Sequence, residues 1–424
     1  MPNGNIIIKN ASELVTCSGF RAKCGAEMSD LRVIDSGAVV IRNGVIQAVG
    51  PSGQALAGVD ESDFSVIDAS GKAVLPGFVD SHTHLVFGGY RAEEFGWRLR
   101  GDSYMEIMQR GGGIVNTVDA TRKASRQQLV DSGMRRLDSM LSFGVTTVEG
   151  KSGYGLDRDT EIKQLEAMRE LNRLHPVEVV PTFLGAHAVP GDYKGREDAF
   201  IDLLITDVMP LAAAGGLSEF CDVFCERGVF SIEQSRRLLL KAREMGLKLK
   251  LHADEIVRLG GAELAAELGA VSADHLLQAS DEGIDRLAAA GVIATLLPGT
   301  AFSLREPYAR ARTMIDRGCA VALATDFNPG SCFTESIPLI LALATLHMNI
   351  TTEEAITAMT INGAAALNRA ETIGSLDVGK QGDLIVLEFP SYHFIPYHIG
   401  VSTVEKVIKG GRVVFEKTAA KEAI

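Results

Sequence analysis

Several apolar, strand-like runs in this chain stop on a metal-binding or titratable residue, and this repetition narrows the possible fold more than any other feature. Ala73-Val74-Leu75-Pro76-Gly77-Phe78-Val79-Asp80-Ser81 leads into His82-Thr83-His84. Leu247-Lys248-Leu249-Lys250-Leu251 leads into His252, with Asp254 and Glu255 directly after it. Val271-Ser272-Ala273-Asp274 leads into His275, and Ala320-Val321-Ala322-Leu323-Ala324-Thr325 leads into Asp326. Residues i and i+2 of a strand point to the same side, so the imidazoles of His82 and His84 can reach one point just past the strand end. A barrel of parallel strands builds its active site in this way, at one rim. His82, His84, His252 and Asp326 offer imidazoles and a carboxylate, a donor set that suits one divalent zinc or iron ion and leaves room for a water.

Between about 72 and 370 the pattern alternates strand and helix. Strand candidates are 74 to 80, 145 to 149, 178 to 184, 220 to 225, 247 to 252, 271 to 275, 292 to 297 and 320 to 325. Helical stretches lie between them, as at Glu233 to Met245, where Leu238, Leu239 and Ala242 share a face. The expected fold is therefore α/β, a (β/α)8 TIM-type barrel. Both ends of the chain are strand-rich. Ala38 to Ile41 and Val45 to Val49 flank Asn43-Gly44, a strong hairpin signal, and Asp383 to Glu388, Val404 to Ile408 and Val413 to Phe415 follow the same style. This predicts a composite small domain from residues 1–71 and 371–424 beside a barrel over 72–370.

Forty-two basic residues against fifty-four acidic ones give a net charge of −12, without a dense basic stretch. Nucleic acid and anionic membranes are poor partners for such a chain, and a small-molecule substrate is the better expectation. The N-terminus lacks a basic segment followed by a long apolar core, and Ile337 to Leu346 is about half a bilayer span, so a soluble cytoplasmic protein is expected. The expected assembly is a homodimer. The cysteines at 17, 24, 221, 225, 319 and 332 contain no Cys-x-x-Cys pair and read as buried thiols, with Cys332 near the Asp326 loop.

On Pro76 to His84, His252, His275 and Asp326 the chain resembles the amidohydrolase superfamily. Within it the chain is similar to the family of cyclic-amide hydrolases of histidine breakdown. That closer likeness rests on Leu85-Val86-Phe87-Gly88-Gly89-Tyr90-Arg91, Arg110-Gly111-Gly112-Gly113-Ile114, Glu149-Gly150-Lys151-Ser152-Gly153-Tyr154-Gly155-Leu156, Leu184-Gly185-Ala186-His187, His252-Ala253-Asp254-Glu255 and Thr325-Asp326-Phe327-Asn328-Pro329-Gly330-Ser331. The resemblance implies a small β-sandwich beside the barrel, metal-dependent hydrolysis of 4-imidazolone-5-propanoate to N-formimidoyl-L-glutamate, and substrate contacts from Tyr154 and His187.

The remaining assignments follow from residue chemistry. Glu255, three residues after His252, is a general acid/base and substrate contact beside the metal. His275 reads as a further ligand, a core imidazole or, as we favour, a donor to the tetrahedral oxyanion. Asp326 is both a ligand and a candidate proton acceptor. Arg91 suits a substrate carboxylate through parallel hydrogen bonds, and Asn328, Gly330 and Ser331 could bind the ring's polar edge. The glycines at 111–113 read either as a plain connection or as a segment that closes over substrate. Gly150-Lys151-Ser152 fails as a phosphate loop because Gly144 is one residue too far upstream. The rival readings are an aminohydrolase acting on a purine or pyrimidine and a non-catalytic scaffold of the same fold. A neutral base would leave Arg91 without an anion, and a scaffold would be expected to lose ligands.

Overall fold

The structure is a computed structural model and describes residues 4–102, 106, 110 and 112–418. Met1-Pro2-Asn3 and Gly111, the first of the three consecutive glycines, lie outside the described residues.

Eight parallel strands form the larger unit: β1 (Phe78–Asp80), β2 (Val145–Lys151), β3 (Glu178–Ala186), β4 (Phe220–Cys225), β5 (Lys248–Ala253), β6 (Ser272–His275), β7 (Ile293–Leu296) and β8 (Val321–Leu323). They pair in sequence order, each beside its predecessor. The seam between β8 and β1 closes at the C-terminal rim. There Thr83 bridges Phe327, Asp326 N donates to His82 O at 3.0 Å, and His84 N donates to Phe327 O at 2.9 Å. Asp80 clasps the same seam, accepting from Thr325 N at 3.0 Å and Thr325 Oγ1 at 2.6 Å. Between strands run helices that put an apolar face on the barrel. In Ile232–Glu244 the Ser231 hydroxyl caps the first turn and Leu238, Leu239 and Ala242 are buried.

One strand expected from the sequence is in fact two. Residues 74 to 80 read as a continuous run, but Ala73–Pro76 belongs to the other sheet, antiparallel to Leu384–Leu387 and parallel to Glu13–Leu14. Pro76 has no N–H to continue a ladder. A Cβ on the next residue, Gly77, would come within 2.3 Å of the Thr146 side chain, so the chain crosses between sheets where only glycine fits.

The small domain is a ladder of eight strands from both ends of the chain. In spatial order these are Arg412–Glu416, Val404–Lys409, Leu384–Leu387, Ala73–Pro76, Ile6–Val15, Val33–Arg42 and Val45–Pro51, with Ser65–Asp68 also paired to Ile6–Val15. Ile8, Val39, Ile46, Val74, Leu384 and Ile408 share its core. Asn43 and Gly44 have φ of 53° and 81°, the doubly left-handed turn that a two-residue hairpin favours.

The stretch Glu197–Gly216, 20 residues containing an 18-residue window with a mean hydropathy of 1.5, has the length and composition to cross a membrane. It is broken into short α, π and 3-10 pieces, and Phe200, Ile201, Leu204, Val208 and Met209 bury themselves in the barrel core. Ile337 to Leu346 lies within the helix Ile337–His347, buried along most of its length.

Asp80→Ala leaves Thr325 without its acceptors in a dry seam. We expect unfolding free energy to fall by about 1–3 kcal/mol, read as a lower midpoint in denaturant at unchanged slope.

Candidate active site

The strand ends deliver their residues to one point. Asp326 Oδ1 lies 3.6 Å from His82 Nε2 and 3.6 Å from His84 Nε2. The His252 ring stands 4.6 Å from that of His82 and 5.6 Å from that of His84. Ligand atoms of His82, His84 and Asp326 lie within 4.8 Å of one another, as do those of His82, His252 and His275, and of His84, His187 and His252. The buried Nε2 atoms of His82 and His252 have no hydrogen-bond partner. Buried polar nitrogens are rarely left so, and a cation accepting their lone pairs would satisfy them. Burial drives the pKa of His82 and His84 well below the usual imidazole range, which favours the neutral form a metal needs.

The opposite faces of the two rings are held from below. His82 Nδ1 lies 2.6 Å from Asp274 Oδ2, and His252 Nδ1 lies 2.9 Å from Asp222 Oδ2. Lys151 Nζ sits among these carboxylates, 2.7 Å from Asp222, 3.5 Å from Asp274 and 3.0 Å from Glu149, and Lys250 Nζ lies 2.9 Å from Glu149. All five side chains are fully buried. Two ammoniums against three carboxylates leave an excess of one negative charge, and Asp326 above can add another. A dry pocket of that sign fits a divalent cation. Burial opposes charge on Lys151, but Asp222, Glu149 and Asp274 outweigh it and hold the ammonium protonated. Burial likewise opposes charge on Asp222, and His252 and Lys151 outweigh it.

These supporting residues were not identified from the sequence. The signal for some of these and for Asp80 is the strand period counted back from the rim. Lys250 lies two before His252, Asp80 two before His82, and Glu149 two before Lys151, each on the inward face of its strand. Lys151, dismissed as part of a phosphate loop, is the central cation. Asp254 turns out to be a scaffold residue: its carboxylate accepts from the backbone of Leu259, Gly260, Gly261 and Ala262, fixing the turn that follows Glu255.

Above the histidines opens a cavity of about 410 Å³. Arg91, Tyr154, His187, Glu255, His275, Asp326, Asn328, Gly330 and Ser331 all line it, together with His84 and His252. The Glu255 side chain is 16% exposed, with Oε1 3.5 Å from His275 Nδ1. Burial first, then the nearby Asp326 charge, pushes its carboxyl up to about 8. Burial raises Asp326 to about 6, although Thr300 Oγ1 donates to Oδ2 at 2.5 Å. His275 and Asp326 are non-glycine residues at φ 76° and 50°, backbone strain that the surrounding strands hold in place.

Each rim contact has its own support. His187 Nδ1 lies 3.0 Å from Gly153 O, which leaves Nε2 for the cavity, and the ring stacks on His84 at 5.0 Å. The Asn328 amide is largely engaged in its own loop: Nδ2 donates to Asp326 O at 2.7 Å, and Oδ1 accepts from the backbone N–H of Gly330 and Ser331 at 2.8 Å each. Arg91 Nε donates to Glu94 Oε2 at 2.8 Å, and Glu94 also accepts from Gly113 N and Asn116 Nδ2, each at 2.9 Å. A Cβ on Gly330 would stand 2.2 Å from Arg91 Nη1, so the missing side chain makes room for the guanidinium. Cys332 is buried, and burial drives its thiol far above the usual range, which leaves an unreactive packing residue.

Comparison with known proteins agrees with this geometry. A family model described as amidohydrolase family matches residues 65–117 and 111–415. An imidazolonepropionase of Clostridium tetani is 62% identical over 418 residues, covering 99% of this chain and 100% of that protein. Another, of Parabacteroides distasonis, is 62% identical over 413 residues, covering 97% and 99%. The chain belongs to the imidazolonepropionase family of amidohydrolases. An adenosine deaminase from Xanthomonas campestris with bound zinc superimposes with a TM-score of 0.70 over 96% of this chain and 92% of that one. At 19% identity that likeness speaks for the shared amidohydrolase fold alone. As an imidazolonepropionase family member the protein is a hydrolase of a carbon–nitrogen bond in a small molecule.

Asp274→Ala removes the acceptor from His82 Nδ1 without touching a ligand atom. Metal affinity, followed by chelator competition, should weaken by about 10–100-fold.

Proposed function

We propose that the protein hydrolyses 4-imidazolone-5-propanoate to N-formimidoyl-L-glutamate in histidine degradation, using one divalent ion held by His82, His84, His252 and Asp326. The observation that carries this reading is a cavity that combines unpartnered imidazole nitrogens on its floor with a guanidinium on its wall, in a chain 62% identical to imidazolonepropionases over nearly its full length. The donor set of imidazoles and a carboxylate suits zinc and iron alike. When bound, such an ion supplies Lewis acidity: it polarises a carbonyl and lowers the pKa of water from about 15.7 toward neutrality.

The side chains do the rest. Arg91 takes the propanoate, preset by Glu94 and by the space over Gly330. Tyr154 and His187 close on the ring, and the Asn328–Ser331 loop meets its polar edge. Glu255, with a carboxyl near neutrality, takes the proton of the attacking water, with Asp326 as the alternative acceptor, and returns it to the ring nitrogen as the carbon–nitrogen bond breaks. Burial holds His275 neutral, so that it can donate to the carbonyl oxygen as negative charge develops there. Water oxygen ends on the carbonyl carbon as a new carboxylate; one water proton passes through Glu255 to the freed nitrogen, and the second is released to solvent as the new acid ionises. A homodimer and a cytoplasmic location complete the proposal, the former open to sedimentation.

Glu255→Gln keeps size and hydrogen bonding and deletes the titratable group. Turnover should drop by at least about 100-fold with metal content unchanged; unchanged turnover would move proton transfer to Asp326 or His275.

The whole reading is tested by following the ultraviolet absorbance of freshly made imidazolonepropanoate with wild type and Arg91→Met. We expect turnover that a chelator abolishes and zinc or iron restores, and a loss of about 2–4 kcal/mol in substrate binding for the variant. A ring analogue without the carboxylate should ignore the change. Equal losses for both compounds would remove the argument for a carboxylate-bearing substrate.

A further inference from the structure

A second cavity, of about 660 Å³, adjoins the first, and the two share Arg91, Phe95, Arg98, Gly330 and Ser331 in their walls. Their charges differ. The inner cavity has Glu94, Asp102, Glu255 and Asp326 in its wall, whereas the outer one has Arg91, Arg98 and Arg305 and no Asp or Glu among the described residues that line it. Much of the remaining wall is apolar, and Phe95, Leu99, Phe302 and Phe333 are exposed to solvent.

Arg98 stands where the two hollows meet. Its Nη2 donates to Ser303 Oγ at 3.3 Å and its guanidinium lies 5.3 Å from the Phe95 ring, and neither Arg98 nor Arg305 forms an ion pair among the described residues. Burial, then the proximity of Arg91 and of Arg305, depresses the Arg98 pKa, and Glu94, already engaged by Arg91, opposes the shift without cancelling it, so that three crowded guanidiniums share one carboxylate. Such crowding is unfavourable unless an anion visits. A chain of net charge −12 repels an anionic substrate at long range, and a carboxylate-free wall of guanidiniums reverses that sign locally.

We propose that the outer cavity is the vestibule through which the carboxylate-bearing substrate approaches the metal cavity, with Arg98 and Arg305 collecting the carboxylate and passing it to Arg91, and with the aromatic wall taking the ring. This rests on the reading that the substrate carries a carboxylate. Arg91 holds the anion in the reacting position; Arg98 and Arg305 act before that, on capture.

The test is steady-state kinetics of the metal-loaded enzyme on imidazolonepropanoate across ionic strength, for wild type, Arg305→Gln, and Arg98→Gln with Arg305→Gln. Exposed Arg169 and Arg412, both changed to Gln, give a control with the same change in total charge. At low salt the double variant should lose about tenfold in kcat/KM with kcat within about twofold, and the deficit should shrink below about twofold near 0.5 M salt, where screening acts over a few ångströms. Arg305→Gln alone, at an exposed position whose side chain forms no ion pair among the described residues, should show the same trend in smaller measure. The control pair should follow wild type. An unchanged salt slope in the double variant, an equal loss in the control, or a parallel fall in kcat would each overturn the vestibule. Those failures differ from failure of the underlying reading, which would appear as an equal loss in Arg91→Met for compounds with and without the carboxylate.

Discussion

Lys151 Nζ lies 2.7 Å from Asp222 and 3.5 Å from Asp274 in a dry barrel interior, and those two carboxylates are the ones that face His252 and His82. The histidine rim depends on this arrangement. A buried carboxylate orients an imidazole best while it stays ionised: His252 and Lys151 outweigh burial at Asp222, whereas at Asp274 burial still raises the carboxyl against the pull of Lys250 and Lys151. Without the ammonium the carboxylates would be stranded together, a loss of about 3–5 kcal/mol in similar buried pairs, and they would tend to take up protons and release the rings. The same cation that stabilises the core therefore fixes the tautomer of two rim histidines. Stability and function are joined at one side chain.

Much of the fold was legible because the barrel strands end abruptly on residues of special chemistry. His82, His84, His252, His275 and Asp326 follow apolar runs, and an inward-facing residue at a strand end has one rim to reach. What escaped was charge inside the strands. Lys248-Leu249-Lys250-Leu251 looks like the alternation of a half-solvated strand, yet Lys250 is fully buried and the leucines face the helices. In a closed barrel the polar member of the alternation can be the interior one, because the interior holds a satisfied ion network instead of an apolar core. The crossing from one sheet to the other at Pro76-Gly77 was hidden for a different reason: an apolar run carries no mark of which sheet it joins.

The substrate side was legible as residue types and less so as geometry. Arg91 stands out in sequence as a cation just past the metal strand, but its partner Glu94 and the space over Gly330 become visible only once the rim loops are folded together. Glu94 is an ordinary helix-start glutamate by position, and nothing in its neighbourhood along the chain distinguishes it from Glu93. Asn328 reads as a contact and is also a brace, its amide largely occupied with the backbone of its own loop.

The two sets of residues are anchored differently, His82, His252 and Asp274 on strands or directly at their ends, and Arg91, Glu94, Gly330 and Ser331 on loops and a short helix outside them. Strand positions are locked by neighbours on both sides, whereas rim segments answer only to one another. Outer segments anchored in this way can change shape and chemistry without disturbing the barrel strands, so the appetite of such a scaffold is set by its loops and its solidity by its strands.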